Sequence, residues 1–79
     1  MVIEREIRLH SLTEIKNFIV LATRFQCDIK VKTNNKIVDG KSMMGIVSLL
    51  RYQPLIVIAE GDDAADFATE FDQEFNSSH

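Results

Sequence analysis

His10, Ser11 and Ser42 are the side chains best placed for chemistry, because each lies at or beside a predicted helix start. The first N–H groups of a helix have no intrahelical partner, and with the helix dipole they favour an anion. A phosphoryl group carried there has part of its charge stabilised in advance. His10 supplies a neutral imidazole nitrogen of suitable nucleophilicity. Glu14 stands against that use, since it adds negative charge nearby. The plainer reading of His10 is an exposed residue just ahead of a helix cap. Ser11 is explained by structure: Ser11-Leu12-Thr13-Glu14 is a capping box, and no neighbouring base activates the hydroxyl.

Ser42 differs from both. It follows the turn-like Asp39-Gly40-Lys41 and opens an apolar run from Met43 to Leu50, so it reads as the N-cap of roughly two helical turns. Here the structural and functional readings do not compete. A phosphate at an N-cap meets the dipole and free N–H groups, so it need not disrupt the fold, and it adds about two negative charges. On a helix starting after Ser42, Ile46, Leu49 and Leu50 share one face, while Met43, Met44 and Val47 share another. So short a helix buries only one face well. The second face reads as a contact surface built from adaptable methionines.

The elements that must position these residues follow from hydrophobic periodicity. Residues 2–9 alternate, with Ile3, Ile7 and Leu9 on one face and Arg5 interrupting it, which suits an edge strand. Ile15, Phe18, Ile19, Ala22 and Phe25 recur at helical spacing from Leu12, predicting a helix from Leu12 to Arg24, with Val20 and Leu21 widening its apolar face. Cys27 to Thr33 alternates again, Asn34-Asn35 makes a tight turn, and Lys36 to Val38 returns. Pro54 ends the Ser42 helix region. Leu55 to Ala59 is a continuous β-branched run that reads as a central strand buried on nearly both sides. The acids of Glu60-Gly61-Asp62-Asp63 enter a last helix at the positive end of its dipole. Its stripe is Ala64, Phe67, Ala68, Phe71 and Phe75, and 76–79 are expected to fray. Strand, helix, strand, strand, helix, strand, helix with one-sided apolar faces implies a two-layer α+β sandwich in one domain, 1–79.

Composition narrows the function classes. A net charge of −3 makes a poor general nucleic-acid binder. The charge is uneven: all nine Lys and Arg lie in 1–51 against five acids, whereas 52–79 hold seven acids and no Lys or Arg. Protein surfaces are therefore the expected partners, with no nucleic acid and no membrane. No apolar run approaches the ~20 residues of a membrane helix, the first residues lack a signal-peptide pattern, and Cys27 alone forms no internal disulfide. A cytoplasmic location is the expectation. Cys27 reads as a small buried apolar residue, and no glycine-rich phosphate loop, paired-carboxylate site or metal-ligand spacing occurs, so no cofactor or metal is expected.

The order of elements, the length and the stretch Val38-Asp39-Gly40-Lys41-Ser42-Met43-Met44-Gly45-Ile46-Val47-Ser48-Leu49 resemble HPr, the small phosphocarrier of the bacterial sugar phosphotransferase system. The family stretch reads V-N-x-K-S-[IL]-M-G-[VL]-M-S-L; Lys41, Ser42, Met44, Gly45, Ser48 and Leu49 match it outright. Arg24-Phe25 and Asp28-Ile29 upstream, and Ala59-Glu60-Gly61 downstream, fit the same pattern, so the resemblance spans essentially the whole chain. It implies an open-faced sandwich, βαββαβα, with four mostly antiparallel strands covered on one side by three helices. It also implies two phosphorylation sites: a histidine capping the first helix within G-[IL]-H-A-R-P, and a regulatory serine, phosphorylated by a dedicated kinase, capping the second. Counting back from Ser42 without gaps puts Ser11 at the histidine's place and Leu12-Thr13-Glu14 at Ala-Arg-Pro, with His10 one position off.

The resemblance therefore implies a histidine-deficient, Crh-like paralogue. The expected function is a non-enzymatic regulatory or adaptor protein of the phosphotransferase and carbon-control network, acting on sugar transport or catabolite regulation. Phosphate on Ser42 would switch partner binding through Met43, Met44 and Val47, with His10 and Ser11 also on the partner side. The partners expected are a kinase, a regulator or a transporter component. The alternatives are a working phosphocarrier using His10, and an HPr-fold interaction module without phosphorylation.

Overall fold

Alternating and helical apolar patterns resolve, in the computed structural model, into eight short elements; the structure describes residues 1–75, so the expected fraying of 76–79 lies outside it. They are β1 (Val2–Ile7), α1 (Leu12–Thr23), β2 (Asp28–Lys32), β3 (Ile37–Asp39), α2 (Met43–Val47), a 3-10 turn (Leu50–Tyr52), β4 (Leu55–Glu60) and α3 (Ala64–Phe75). The sheet order is β1-β4-β2-β3, and every pairing is antiparallel. This is a βαββαβα open-faced sandwich, with one face of the sheet covered by the three helices.

Side-chain alternation assigns the two faces. Ile7, Ile29, Val31, Leu55, Val57 and Ala59 point into the core, where they meet Ile15, Phe18, Leu21, Ile46, Leu49, Phe67 and Phe71. The ring of Phe18 stands edge-on to Phe67 and Phe71, at centroid distances of 6.5 and 6.3 Å, and locks α1 to α3. Edge-to-face contact suits the ring quadrupoles. Truncating so central a ring costs about 3–5 kcal/mol.

Arg5 interrupts the core face of β1 because its guanidinium crosses to α3, donating Nε to Asp72 Oδ1 at 2.8 Å and Nη2 to Asp72 Oδ2 at 3.0 Å. The hydrogen bond to Asp72 raises the Arg5 pKa above its ordinary value. The edge placement of β1 is as expected.

Three expectations are corrected and a fourth is extended. The strand Leu55–Glu60 lies inside the sheet but is not buried on both sides: Leu55, Val57 and Ala59 are buried, whereas Ile56 and Ile58 are only half-buried on the face that carries no helix. A one-layer cover leaves alternate residues of a central strand at the surface. The helix after Ser42 ends at Val47, and Leu50 continues as a 3-10 turn, so the run is shorter than two full α turns. Leu12 and Val20 lie on the exposed side of α1, while Leu21 is buried beside the stripe. Asp63 serves contacts beyond its own helix: its carboxylate accepts the Gln26 and Cys27 N–H groups at 2.9 Å each. Those bonds, that from Gln26 foremost, hold its carboxyl below the ordinary aspartate value. Cys27 is buried as expected, and burial, reinforced by Asp63, pushes its thiol up to about 11.

Candidate functional site

Two serine-capped helix starts carry the residues of interest. At the first, Ser11 is extended (φ −152°, ψ 161°) and its Oγ accepts the Glu14 N–H at 3.1 Å. Glu14 Oε1 in turn accepts the His10 N–H at 2.6 Å, so the return bond of the capping box read from the sequence reaches the residue before the cap rather than Ser11 itself. His10 therefore precedes the cap, and its side chain is exposed and makes no hydrogen bond among the described residues. The cap position itself belongs to Ser11, with a carboxylate over the first turn.

At the second start, Ser42 is extended (φ −106°, ψ 115°) and its Oγ accepts the Gly45 N–H at 3.1 Å. Its carbonyl accepts the Ile46 N–H, and its own N–H donates to the Asp39 carbonyl, both at 3.1 Å. Asp39 Oδ1 accepts the Lys41 N–H at 2.9 Å, and Lys41 Nζ reaches the Phe25 carbonyl at 2.8 Å. The approach to Ser42 is thus a fixed turn with one carboxylate and one ammonium.

Two glycines make this turn possible. A Cβ on Gly40 would stand 2.6 Å from Ile29 Cγ2 and 2.9 Å from its carbonyl oxygen, so only glycine lets the chain press against β2 there. A Cβ on Gly45 would come within 3.0 Å of Val38 Cβ, and its absence seats α2 directly on β3. With Ile46 and Leu49 fully buried beneath, Met43 and Val47 are 43% and 44% exposed and Met44 is 83% exposed. The expected division of the helix into a core face and a surface face is present. Ser42 itself is half-buried between them.

Sequence reasoning missed Gln53, which stood only as a residue kept from helical geometry by Pro54. Its Oε1 accepts the Leu9 N–H at 2.5 Å, and its Nε2 donates to the Leu9 carbonyl at 2.6 Å. This amide fork ties the turn after α2 to the segment leading into Ser11. A contact spanning so much chain leaves no local signal; the one hint was a hydrogen-bonding side chain held extended before a proline. No group of His, Cys, Asp and Glu suited to a metal ion occurs among the described residues. No helix among them is long and apolar enough to cross a membrane.

Known proteins share this fold. A family model described as the PTS HPr component phosphorylation site matches residues 12–77. The phosphocarrier protein HPr from Bacillus anthracis superposes with a TM-score of 0.73 at 26% identity, covering 94% of this chain and 96% of that one. HPr-C-His from Thermoanaerobacter tengcongensis gives 0.69 at 31% identity, covering 100% and 99%. The catabolite repression protein Crh of Bacillus subtilis gives 0.65 at 27% identity, covering 89% and 85%. No curated protein sequence matches the chain.

Proposed function

The chain belongs to the HPr family, whose members are phosphocarriers and not catalysts, and from that premise we propose that it is a regulatory or adaptor member switched at Ser42. The observation that carries the proposal is the contrast between the caps. Ser42 presents a hydroxyl on a helix whose third residue is Gly45, beside the exposed Met43, Met44 and Val47. At the other start, Ser11 occupies the cap, His10 lies outside it, and Glu14 holds the first turn.

In the proposed cycle a kinase transfers the terminal phosphoryl group of a nucleoside triphosphate to Ser42 Oγ. The nucleoside diphosphate leaves, and the hydroxyl proton passes to a base of the kinase. The product adds about two negative charges next to the methionine patch. Partners of the phosphotransferase and carbon-control network then distinguish the two forms by charge at the rim of an apolar contact. Likeness to both HPr and Crh supports this assignment of partners.

The test uses a serine kinase of the HPr system with the wild-type chain, Ser42→Ala and Ser11→Ala. Phosphate should enter the wild type and Ser11→Ala, and be absent from Ser42→Ala. Captured partners should differ between the wild type and Ser42→Asp. Absence of phosphate from Ser42, with capture unchanged by Ser42→Asp, would remove the proposal. Incubation with phosphoenolpyruvate and the general phosphotransferase tests the carrier alternative, since acid-labile phosphate lost in His10→Ala would restore it.

A further inference from the structure

The uncovered face of the sheet carries an ordered charge pattern that neither the core nor Ser42 requires. Strand pairing places Glu6, Ile56, Lys32 and Ile37 in one cross-strand row, and Glu4, Ile58, Lys30 and Asp39 in the next. Arg5, Ile7, Val31 and Val57 point the other way, into or against the helical layer. The open face therefore has an acidic edge of Glu4 and Glu6 on β1, an apolar ridge of Ile56 and Ile58 on β4, and the pair Lys30 and Lys32 on β2, where Lys30 is flanked by Asp28 and by Asp39 of β3. Roughly 10 Å, two strand spacings, separates the acids from the lysines. Glu4 and Lys32 have no ion pair among the described residues. Glu6 reaches Arg8 at 3.9 Å and Lys30 reaches Asp28 at 3.4 Å, long and exposed contacts that hold either side chain only weakly.

We infer that this face is a docking surface for a second copy of the chain, packed sheet on sheet about a two-fold axis running along β4. Rotation about that axis lays Ile56 on Ile56 and Ile58 on Ile58 of the partner. It brings the β1 acids of each copy over the β2 lysines of the other, Glu6 over Lys32 and Glu4 over Lys30. Such an interface is self-complementary, as a two-fold dimer requires. The two sets of strands stay aligned, within the angle that sheet twist imposes. A two-fold axis across the strands would instead set acid over acid and lysine over lysine, so charge alone selects the first arrangement. Opposing terms come from Glu60, which lies on the axis and meets its own copy, and from Asp28 and Asp39, which flank Lys30 and leave Lys32 the stronger of the two basic partners. Three strands and two isoleucines form a small contact at the low end of specific interfaces, so the dimer is a weak one that assembles as chain concentration rises. The Ser42 face lies on the opposite layer and stays free.

Sedimentation of the full chain from micromolar to millimolar concentration tests the inference. The wild type should pass from monomer to dimer, and added salt should weaken the dimer. Glu4→Lys/Glu6→Lys and Lys30→Glu/Lys32→Glu, each checked for native circular dichroism, should separately weaken it by about tenfold or more. An equimolar mixture of these two variants should restore the dimer, since each reversed row then faces its opposite. Glu60→Gln should tighten it. A wild type monomeric throughout, a mixture that fails to associate, or a dimer indifferent to both reversals (as an exchange of strands between copies would be) overturns the inference.

Discussion

The two helix starts use one device to opposite ends. At both, a serine Oγ accepts the N–H three residues on, at 3.1 Å. At α1 that third residue is Glu14, whose carboxylate folds back to the His10 N–H and fills the site with negative charge. At α2 it is Gly45, which brings no side chain, and no acid lies in the first turn. An anion arriving at Ser11 meets a carboxylate already in place, whereas one arriving at Ser42 meets backbone donors and a bare glycine. The lesson is that a helix cap is specified for stability by its serine, and for chemistry by the residue three positions later.

This comparison can be broken at several points. The largest effect is expected from Gly40→Ala, which drives a methyl group into Ile29 and displaces the turn before Ser42 while leaving α1 capped. The cost should be about 1–3 kcal/mol in urea unfolding. Phosphorylation of Ser42 should fall with it.

A third helix start provides a titratable control. Asp63 reaches out to Gln26 and Cys27, and its depressed pKa means the folded state releases its proton more readily than the unfolded chain does. Its stabilisation is therefore complete above the unfolded aspartate value and is lost as pH falls through the lower folded one. Asp63→Asn should lower the urea midpoint at neutral pH, and the deficit should shrink below about pH 4. Neither Ser11→Ala nor Ser42→Ala should show that pH dependence.

Glu14→Ala opens the α1 box and should cost about 0.5–1 kcal/mol without touching Ser42 phosphorylation. The smallest effect sharpens the contrast most. Ser42→Asp should remain within about 0.5 kcal/mol of wild type, because Asp is itself a good cap. Ser11→Asp should be lower by a few tenths of a kcal/mol, as its carboxylate faces Glu14. Equal midpoints for the two aspartate variants would show that the two starts are electrostatically alike.

Most of the fold was legible because its signals are local. The capping box at Ser11, the helical stripe of α3 and the alternation of β2 each need only a short window. The split of α2 into a buried Ile46 face and an exposed methionine face was equally readable from spacing. The reading of β4 failed because Leu55-Ile56-Val57-Ile58-Ala59 is apolar throughout, and composition alone does not say that one sheet face lacks a cover. The long-range contacts of Asp63 and Gln53 were missed for a related reason: each has a local role that looks sufficient, while its further partners come from distant chain. The candidate site was legible in its residues, whereas the glycines' part in seating it came from contacts with Ile29 and Val38.

The amide fork of Gln53 has one more consequence. A side-chain amide paired with both groups of Leu9 imitates one rung of a β-ladder, so the segment before α1 opens to solvent only when the turn after α2 releases it. The Leu9 amide hydrogen is thereby a built-in reporter. Its exchange with deuterated water measures the integrity of the second helix region from inside the first, and a phosphate that loosens α2 would be read there as faster exchange.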